Sequence, residues 1–460
     1  MKHYDLILIG TGQATGTILG ELLDRNLSVA TVERDRVGGS CVNWGCTPTK
    51  TLVASARVSH VVKTAGRFGI ELADHTVEFG KVMERVNQMR IPATQGFQAW
   101  LEQATDFHHG AARFVDAHTV EVNGEQLRGE KIVIHTGARA RVPRIAGLDA
   151  VPWLDNRGIL DLEELPEHLL VLGGSYIGLE FAQAFRRLGT AVTVLEHNNR
   201  IVTREDEDIS AVALEVLSAE GIAFELEADA LSTEPLGGTA SGVRLHYRQN
   251  GHDRYADGSH LLLAVGRQPN TDDLNLSAAA VQTDARGFIP VDEVGRTSVE
   301  HIYALGDVNA RGAFTHTSVH DGQVFLDHLS GGTRRISDRI PIHSMFIDPP
   351  LARVGMSEAE ARTTDKRVLV GSMPMSKVNR AREKDETAGL IKVLVDAETH
   401  RLLGATIFGV GGDEIIGMLA VMMQTELPYT ALQNTVLPHP TVSELIPWIF
   451  NDLKELQASP

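Results

Sequence analysis

Two cysteines are all the chain contains, and they stand five positions apart in Gly38-Gly-Ser-Cys41-Val-Asn-Trp-Gly-Cys46-Thr-Pro-Thr-Lys50. A pair so close together cannot staple a fold of 460 residues, and in a reducing compartment it suggests redox chemistry instead. Five helical residues rise about 7.5 Å, whereas a disulfide needs its Cα atoms within roughly 7 Å. A bridge across regular helix is therefore excluded. Gly45 lets the backbone distort just before Cys46, and Pro48 suits the first turn of a helix that starts after the pair. Such a bridge would be local and strained, which is the reducible kind. The competing reading is two unrelated cysteines near a loop.

The elements that must position this pair repeat along the chain. Asp5-Leu-Ile-Leu-Ile-Gly-Thr-Gly12 returns in type as Leu169-Leu-Val-Leu-Gly-Gly-Ser175. Each opens a strand, a glycine turn and a helix. The next strand of the first copy ends in Glu33, 23 positions after Gly10, and that of the second ends in Glu196, 23 positions after Gly173. Two Rossmann-type sites follow: the glycines bring backbone N–H groups and a helix N-terminus to a pyrophosphate, and each acid accepts ribose hydroxyls. Both copies are imperfect. Thr15 holds the third glycine position of the first, with Gly16 beside it, and Ser175 holds the second position of the other. Glycines that merely turn a tight corner are the bland alternative, weakened by the paired acids.

Further on, Leu261–Arg267 and Ile302–Asp307 read as buried apolar strands ending in glycine. After Ser330-Gly-Gly-Thr333 the pattern turns to alternating strands, Leu390–Asp396 and Leu403–Phe408, and then helices. This predicts an α+β C-terminal domain behind an α/β body. A net charge of −17 repels nucleic acid and anionic lipid, so neither is an expected partner. The apolar run Ile415 to Met423 is too short to span a membrane and suits a core or interface helix. The chain enters a strand with no export signal, which points to the cytoplasm.

The segment from Gly38 to Lys50 resembles the signature of the class I flavoprotein disulfide reductases, among them lipoamide dehydrogenase, glutathione reductase and mercuric reductase. The resemblance extends to the first glycines, Gly173 to Glu180, Val265-Gly-Arg-Gln-Pro-Asn270, Gly306-Asp307 and His439-Pro-Thr-Val-Ser-Glu444. It implies two Rossmann-type domains, for FAD and NAD, with a dimerisation domain. The expected boundaries are 1–150 and 269–337 for the FAD parts, 151–268 for the NAD(P)H domain and 338–460 for the interface domain. It also implies that FAD lies against Gly10, Gly12, Gly16, Glu33, Gly39, Ser40, Lys50, Ala112, Thr136, Gly137, Asp307 and Thr315, with Thr315 starting a helix aimed at the flavin. NAD would meet Gly173, Gly174, Ser175, Tyr176, Ile177, Glu180, Glu196 and Gly266, with Tyr176 covering the nicotinamide pocket and Lys50 paired with Glu180 near the flavin. The alternatives are a solvated helix lysine at Lys50 and a surface acid at Glu180.

By the same resemblance, electrons pass from the nicotinamide through FAD to Cys46, while Cys41 meets a disulfide, dithiol or lipoyl substrate. His439, oriented by Glu444, would serve the partner subunit's cysteines in a homodimer, as an imidazole titrating near neutrality can. A competing reading makes Thr441-Val-Ser-Glu444 a helix capping box. Glu196 favours NADH over NADPH, since a carboxylate there repels a 2'-phosphate, although Arg200 and Arg204 follow closely and could blunt the preference. No metal site is expected: His316 and His320 share helical spacing, and His108 and His109 adjoin, but no further ligand completes a set. Trp44 and Thr47 depart from the usual lipoamide and glutathione versions, and no cysteine follows Cys46 to hand over a metal ion. The rival functions are an NADH oxidase, a mercuric or copper reductase, and a redox sensor without turnover.

Overall fold

Two parallel sheets rise from the two glycine units. The computed structural model describes residues 1–73, 75–237 and 242–457. In the first unit, strand Lys2–Ile9 lies between Val29–Glu33 and Glu125–Ile134, all parallel, with Leu6 opposite Val29 and Ile9 opposite Ile134. Asp106–His109 extends one edge, and two short antiparallel strands extend the other. Strand Ile302–Ala304 pairs with Glu125–Ile134, so a distant stretch of chain completes this seven-stranded sheet. Ile7, Leu8, Ile132 and Val133 are fully buried, because both faces of the sheet are covered. Helix Gln13–Leu22 packs against helix Thr315–Leu329 on one face, where Gly322 meets Ala14.

The second unit has the same logic. Strands Ala223–Leu226, Ala191–Glu196, His168–Leu172, His260–Leu263 and Trp153–Leu154 form a five-stranded parallel sheet in that order. Helix Tyr176–Leu188 leaves the glycine turn and buries Leu179, Phe181 and Phe185. A three-stranded antiparallel sheet, Asp229–Pro235, Val243–Gln249 and His252–Gly258, sits alongside.

The C-terminal domain is built on six strands, ordered Ile342–Met345, Leu351–Gly355, Leu402–Phe408, Leu390–Asp396, Val368–Pro374 and Lys454–Glu455. The two expected strands form, but not as half-solvated alternating ones: Leu390–Asp396 is buried from its second residue to its last. Ile391, Val393 and Val395 join a core with Ile416 and Leu419 of helix Gly412–Gln424. On the opposite face Lys392, only 3% exposed, reaches Asp206, Asp208 and Glu358 at 2.6–3.1 Å. That buried ammonium ties the C-terminal sheet to the start of helix Glu207–Ala219. Helix Gly412–Gln424 buries Ile416, Leu419 and Met422 and leaves Val421 exposed. No helix among the described residues is long and apolar enough to cross a membrane.

Candidate active site

A single cleft gathers Gly10, Gly12, Glu33, Gly39, Ser40, Ala112, Thr136, Gly137, Asp307 and Thr315, with Cys41 and Cys46 among its lining. Its floor is backbone. Gly10 has φ +101°, and a Cβ there would stand 2.3 Å from the His135 carbonyl oxygen. A Cβ on Gly12 would stand 2.7 Å from the His135 ring. The glycines thus leave a shallow cradle of N–H groups ahead of helix Gln13–Leu22, the surface a pyrophosphate needs. Glu33 accepts from the Thr11 amide at 3.0 Å and the Thr11 hydroxyl at 2.7 Å. Asp307 pairs with Arg267 at 2.6 Å. These residues fit a dinucleotide.

Gly16 lies outside the lining. It sits on the helix, where a Cβ would make only ordinary contact with Phe97 at 3.7 Å. Thr15 replaces the third glycine by a tether, its hydroxyl donating to the Gly10 carbonyl at 3.0 Å. His135 was not foreseen. It is buried beneath the cradle, with Nε2 2.7 Å from the Ser318 hydroxyl and Nδ1 3.3 Å from that of Thr15. Burial pushes its pKa down to about 4, so the ring stays neutral and joins the glycine loop to helix Thr315–Leu329.

The cysteine segment is two helices broken by one residue. Gly39–Trp44 and Cys46–Thr64 are separated by Gly45 at φ −134°, ψ −118°. A Cβ on Gly45 would come within 2.8 Å of the Ser40 carbonyl oxygen, so only glycine allows this close break. Trp44 is buried, with the Arg157 guanidinium 3.9 Å and that of Arg36 5.6 Å from its ring, and it anchors the turn between the two sulfurs. Both cysteines are free thiols. The Cys46 sulfur lies 3.2 Å from the Thr315 hydroxyl. A hydrogen bond from Cys41 pulls the Cys46 pKa down to about 6 despite burial, aided by Thr315 and the Lys50 charge. Cys41, as the donor and itself buried, is pushed well above the ordinary thiol range.

Lys50, one turn along the cysteine helix from Cys46, pairs with Glu180 at 2.7 Å. It stands outside the cleft lining, its ammonium 4.6 Å from the centre of the Phe346 ring. Glu180 is 5% exposed and also accepts from the Phe346 amide at 2.8 Å. It is not a surface acid. In the second glycine unit, Glu196 accepts from the Gly174 amide at 2.6 Å and from Asn198. Arg200 donates to the carbonyls of Glu205 and Thr203, at 2.7 and 3.1 Å. Ser175 stands at the N-cap of helix Tyr176–Leu188 and makes no capping hydrogen bond. Ile177 is exposed on that helix, and Gly266 has φ +110°. The Tyr176 hydroxyl bonds to the Glu205 carboxylate.

His439 and Glu444 form a pair of their own, Nδ1 to carboxylate at 3.0 Å, with the His439 side chain 70% exposed. They do not line the cleft that holds the cysteines. The capping box does not form: Glu444 lies in a 3-10 turn, Ser443–Leu445, and its carboxylate goes to His439 instead. His316 turns its Nε2 to the Ile342 carbonyl at 2.7 Å, while His320 faces Arg339.

The description "pyridine nucleotide-disulphide oxidoreductase" belongs to the family model that matches residues 4–322, and its dimerisation domain matches residues 342–450. Among curated relatives, the probable pyridine nucleotide-disulfide oxidoreductase RclA of Escherichia coli is 34% identical over 99% of this chain and all of its own. A mercuric reductase of Lysinibacillus sphaericus is 32% identical, covering 96% of this chain and 81% of the relative. A dihydrolipoyl dehydrogenase of Thermus scotoductus is 33% identical, covering 96% of each. The solved structure of the HOCl-induced flavoprotein disulfide reductase RclA superposes with a TM-score of 0.88 at 34% identity, covering 97% and 99% of the two chains. A Cu(II) complex of the same protein gives 0.88 at 33%, covering 98% and 99%.

Proposed function

Because the chain belongs to the pyridine nucleotide-disulphide oxidoreductase family, we propose that it is the Cys41–Cys46 pair that takes electrons from NADH and delivers them to a small disulfide, in a homodimer. The family is FAD-dependent, and the residue ranges 1–150 with 269–337, 151–268 and 338–460 are our assignment of the FAD, nucleotide and interface domains. FAD, when bound in the glycine-floored cleft, supplies the two-electron relay between nicotinamide and sulfur.

One observation carries the reading: the two sulfurs flank the Gly45 break and line the same glycine-floored cleft, that of Cys46 lying 3.2 Å from the Thr315 hydroxyl. Cys46 is the one stabilised as a thiolate, held by Cys41, Thr315 and Lys50, which suits the sulfur that faces the cofactor. Cys41 holds its proton more tightly, so it needs a base before it can attack. The partner subunit's His439 is the proposed base. Once ionised, Cys41 attacks one sulfur of the substrate disulfide, and the first substrate thiol leaves with the proton returned by the partner's His439. Cys46 then attacks the Cys41 sulfur, re-forming the bridge and releasing the second thiol. Dithiol oxidation runs the same steps backward.

A second reading is favoured by the Cu(II) complex of the E. coli relative. Two sulfurs and the Thr315 hydroxyl close together would also receive a thiophilic metal ion, and the dithiol, closing to its disulfide with loss of two protons, would give two electrons to one Hg(II) or one to each of two Cu(II). The two readings separate in one assay, anaerobic NADH oxidation with lipoamide, glutathione disulfide, cystine, Cu(II) and Hg(II) in turn. Sustained turnover with a disulfide and none with either metal supports the first. Turnover confined to the metals overturns it.

The same assay tests the nucleotide. Glu196 stands where the ribose would lie, and Arg200 already spends its guanidinium on two backbone carbonyls, so no free cation is offered to a 2'-phosphate from that side chain. NADH is expected to give a kcat/KM at least about tenfold above NADPH. Equal or inverted values would show that Arg200 or Arg204 turns to the phosphate.

A further inference from the structure

Tyr176 is bolted to two residues that nothing in the cysteine chemistry requires. It is the first residue of helix Tyr176–Leu188, one turn before Glu180 and on the same face as the Glu180–Lys50 pair. Its hydroxyl bonds to the carboxylate of Glu205, and His343 Nε2 lies 2.8 Å from that hydroxyl and 2.9 Å from the same carboxylate oxygen. The other Glu205 oxygen faces Arg353 Nε at 3.1 Å, and the Glu205 side chain is fully buried. His343 and Arg353 are directly opposite each other across strands Ile342–Met345 and Leu351–Gly355. The C-terminal sheet therefore presents both partners of Glu205 as one rigid unit. The His343 ring stacks on Tyr176 at 5.4 Å and on Phe314, a residue of the cleft, at 5.6 Å.

We propose that Glu205, positioned by His343 and Arg353, is a latch that holds Tyr176 over the nicotinamide end of the cleft and sets the affinity for NAD(H). The proposal rests on the reading of Tyr176 as the cover of that pocket. The physical reason is the strength of the closed state. A phenol donating to a carboxylate makes a charge-assisted hydrogen bond, roughly twice as strong as a neutral one, and here the carboxylate is fully buried. A nucleotide that displaces the ring must supply the free energy to open the latch, so its observed affinity falls by the fraction of molecules that are open. Glu205 and His343 touch no reacting atom in this scheme. They are positioning residues, and they make the corner nearest Glu180 a closed one until a nucleotide arrives.

The test measures binding as well as turnover. In Tyr176→Phe the ring and its stacking remain and only the hydroxyl is lost. Calorimetric titration of the FAD-loaded protein with NAD+ is expected to show about tenfold tighter binding, about 1.4 kcal/mol. The KM for NADH should fall in parallel, a gain in affinity that general damage to the fold would not produce. Glu205→Gln and His343→Phe should shift binding the same way by a smaller factor. Unchanged or weaker NAD+ binding in Tyr176→Phe overturns the latch. Tyr176→Ala separates this from failure of the cover itself. If alanine tightens binding and phenylalanine does not, the cover stands and the latch falls. If alanine also changes nothing, both fall.

Discussion

Cys41→Ser is expected to abolish NADH-driven disulfide reduction, with a loss of at least about 10³-fold in kcat, the scale seen when a covalent nucleophile is removed. Serine keeps the volume and a hydrogen bond toward Cys46, so the loss falls on chemistry and not on the fold. Binding of NAD+ should survive, because Glu196, Tyr176 and the second glycine turn lie in another unit. Cys46→Ser should be as inactive but for a different reason. Cys41 can then still attack, and nothing resolves the product. One equivalent of substrate thiol is expected to remain on each chain as a mixed disulfide, visible by intact mass. A Cys41→Ser variant that keeps disulfide turnover would remove Cys41 from the path altogether.

His439→Ala should cost about 10²–10⁴-fold in kcat, the usual contribution of a positioned acid or base. The geometry makes the need for it specific. Cys41 is pushed above the ordinary thiol range by donating to Cys46 and by burial, so near neutral pH it attacks only if something removes its proton. Without the imidazole, the rate should climb steadily with pH as hydroxide takes over that role, and the neutral plateau should vanish. Glu444→Gln should cost less, about tenfold, because it orients the ring at 3.0 Å without exchanging a proton with substrate. Mixed dimers decide whose histidine it is. If each site uses the partner's His439, a dimer with Cys41→Ser in one subunit and His439→Ala in the other keeps one complete site and about half the activity per dimer. If each subunit used its own, that dimer would be dead.

Much of this was legible along the chain because it is written in short-range terms. Gly10 and Glu33, or Gly173 and Glu196, are 23 positions apart in each copy, and a strand, turn, helix and strand of that length must bring the acid back beside the glycines. Gly45 announced its break because no other residue tolerates the Ser40 carbonyl so near. Other features depended on what the rest of the chain brings up against a residue. Gly16 was expected at the cofactor through adjacency to Thr15, yet the helix turns it toward Phe97. The capping box at Thr441 gave way to the Glu444–His439 pair, the half-buried carboxylate turning to the imidazole at 3.0 Å instead of to the backbone of a one-turn helix. The alternation expected in Leu390–Asp396 is lost because Lys392 carries its charge to three acids more than thirty positions away. His135, Glu205 and His343 carried no motif at all. His135 matters because Gly12 and Ser318 close over it, and the other two because strands far apart in sequence converge on Tyr176. Long-range convergence of this kind leaves no periodicity to read.

The central claim is that electrons from NADH arrive at Cys41 and Cys46, and with two cysteines per chain it can be counted. The air-oxidised, FAD-loaded protein is denatured in excess alkylating reagent before and after anaerobic incubation with NADH, and its mass is read. The account predicts no alkylated cysteine before and two after. Two alkylated cysteines before NADH, or none after it, would contradict it.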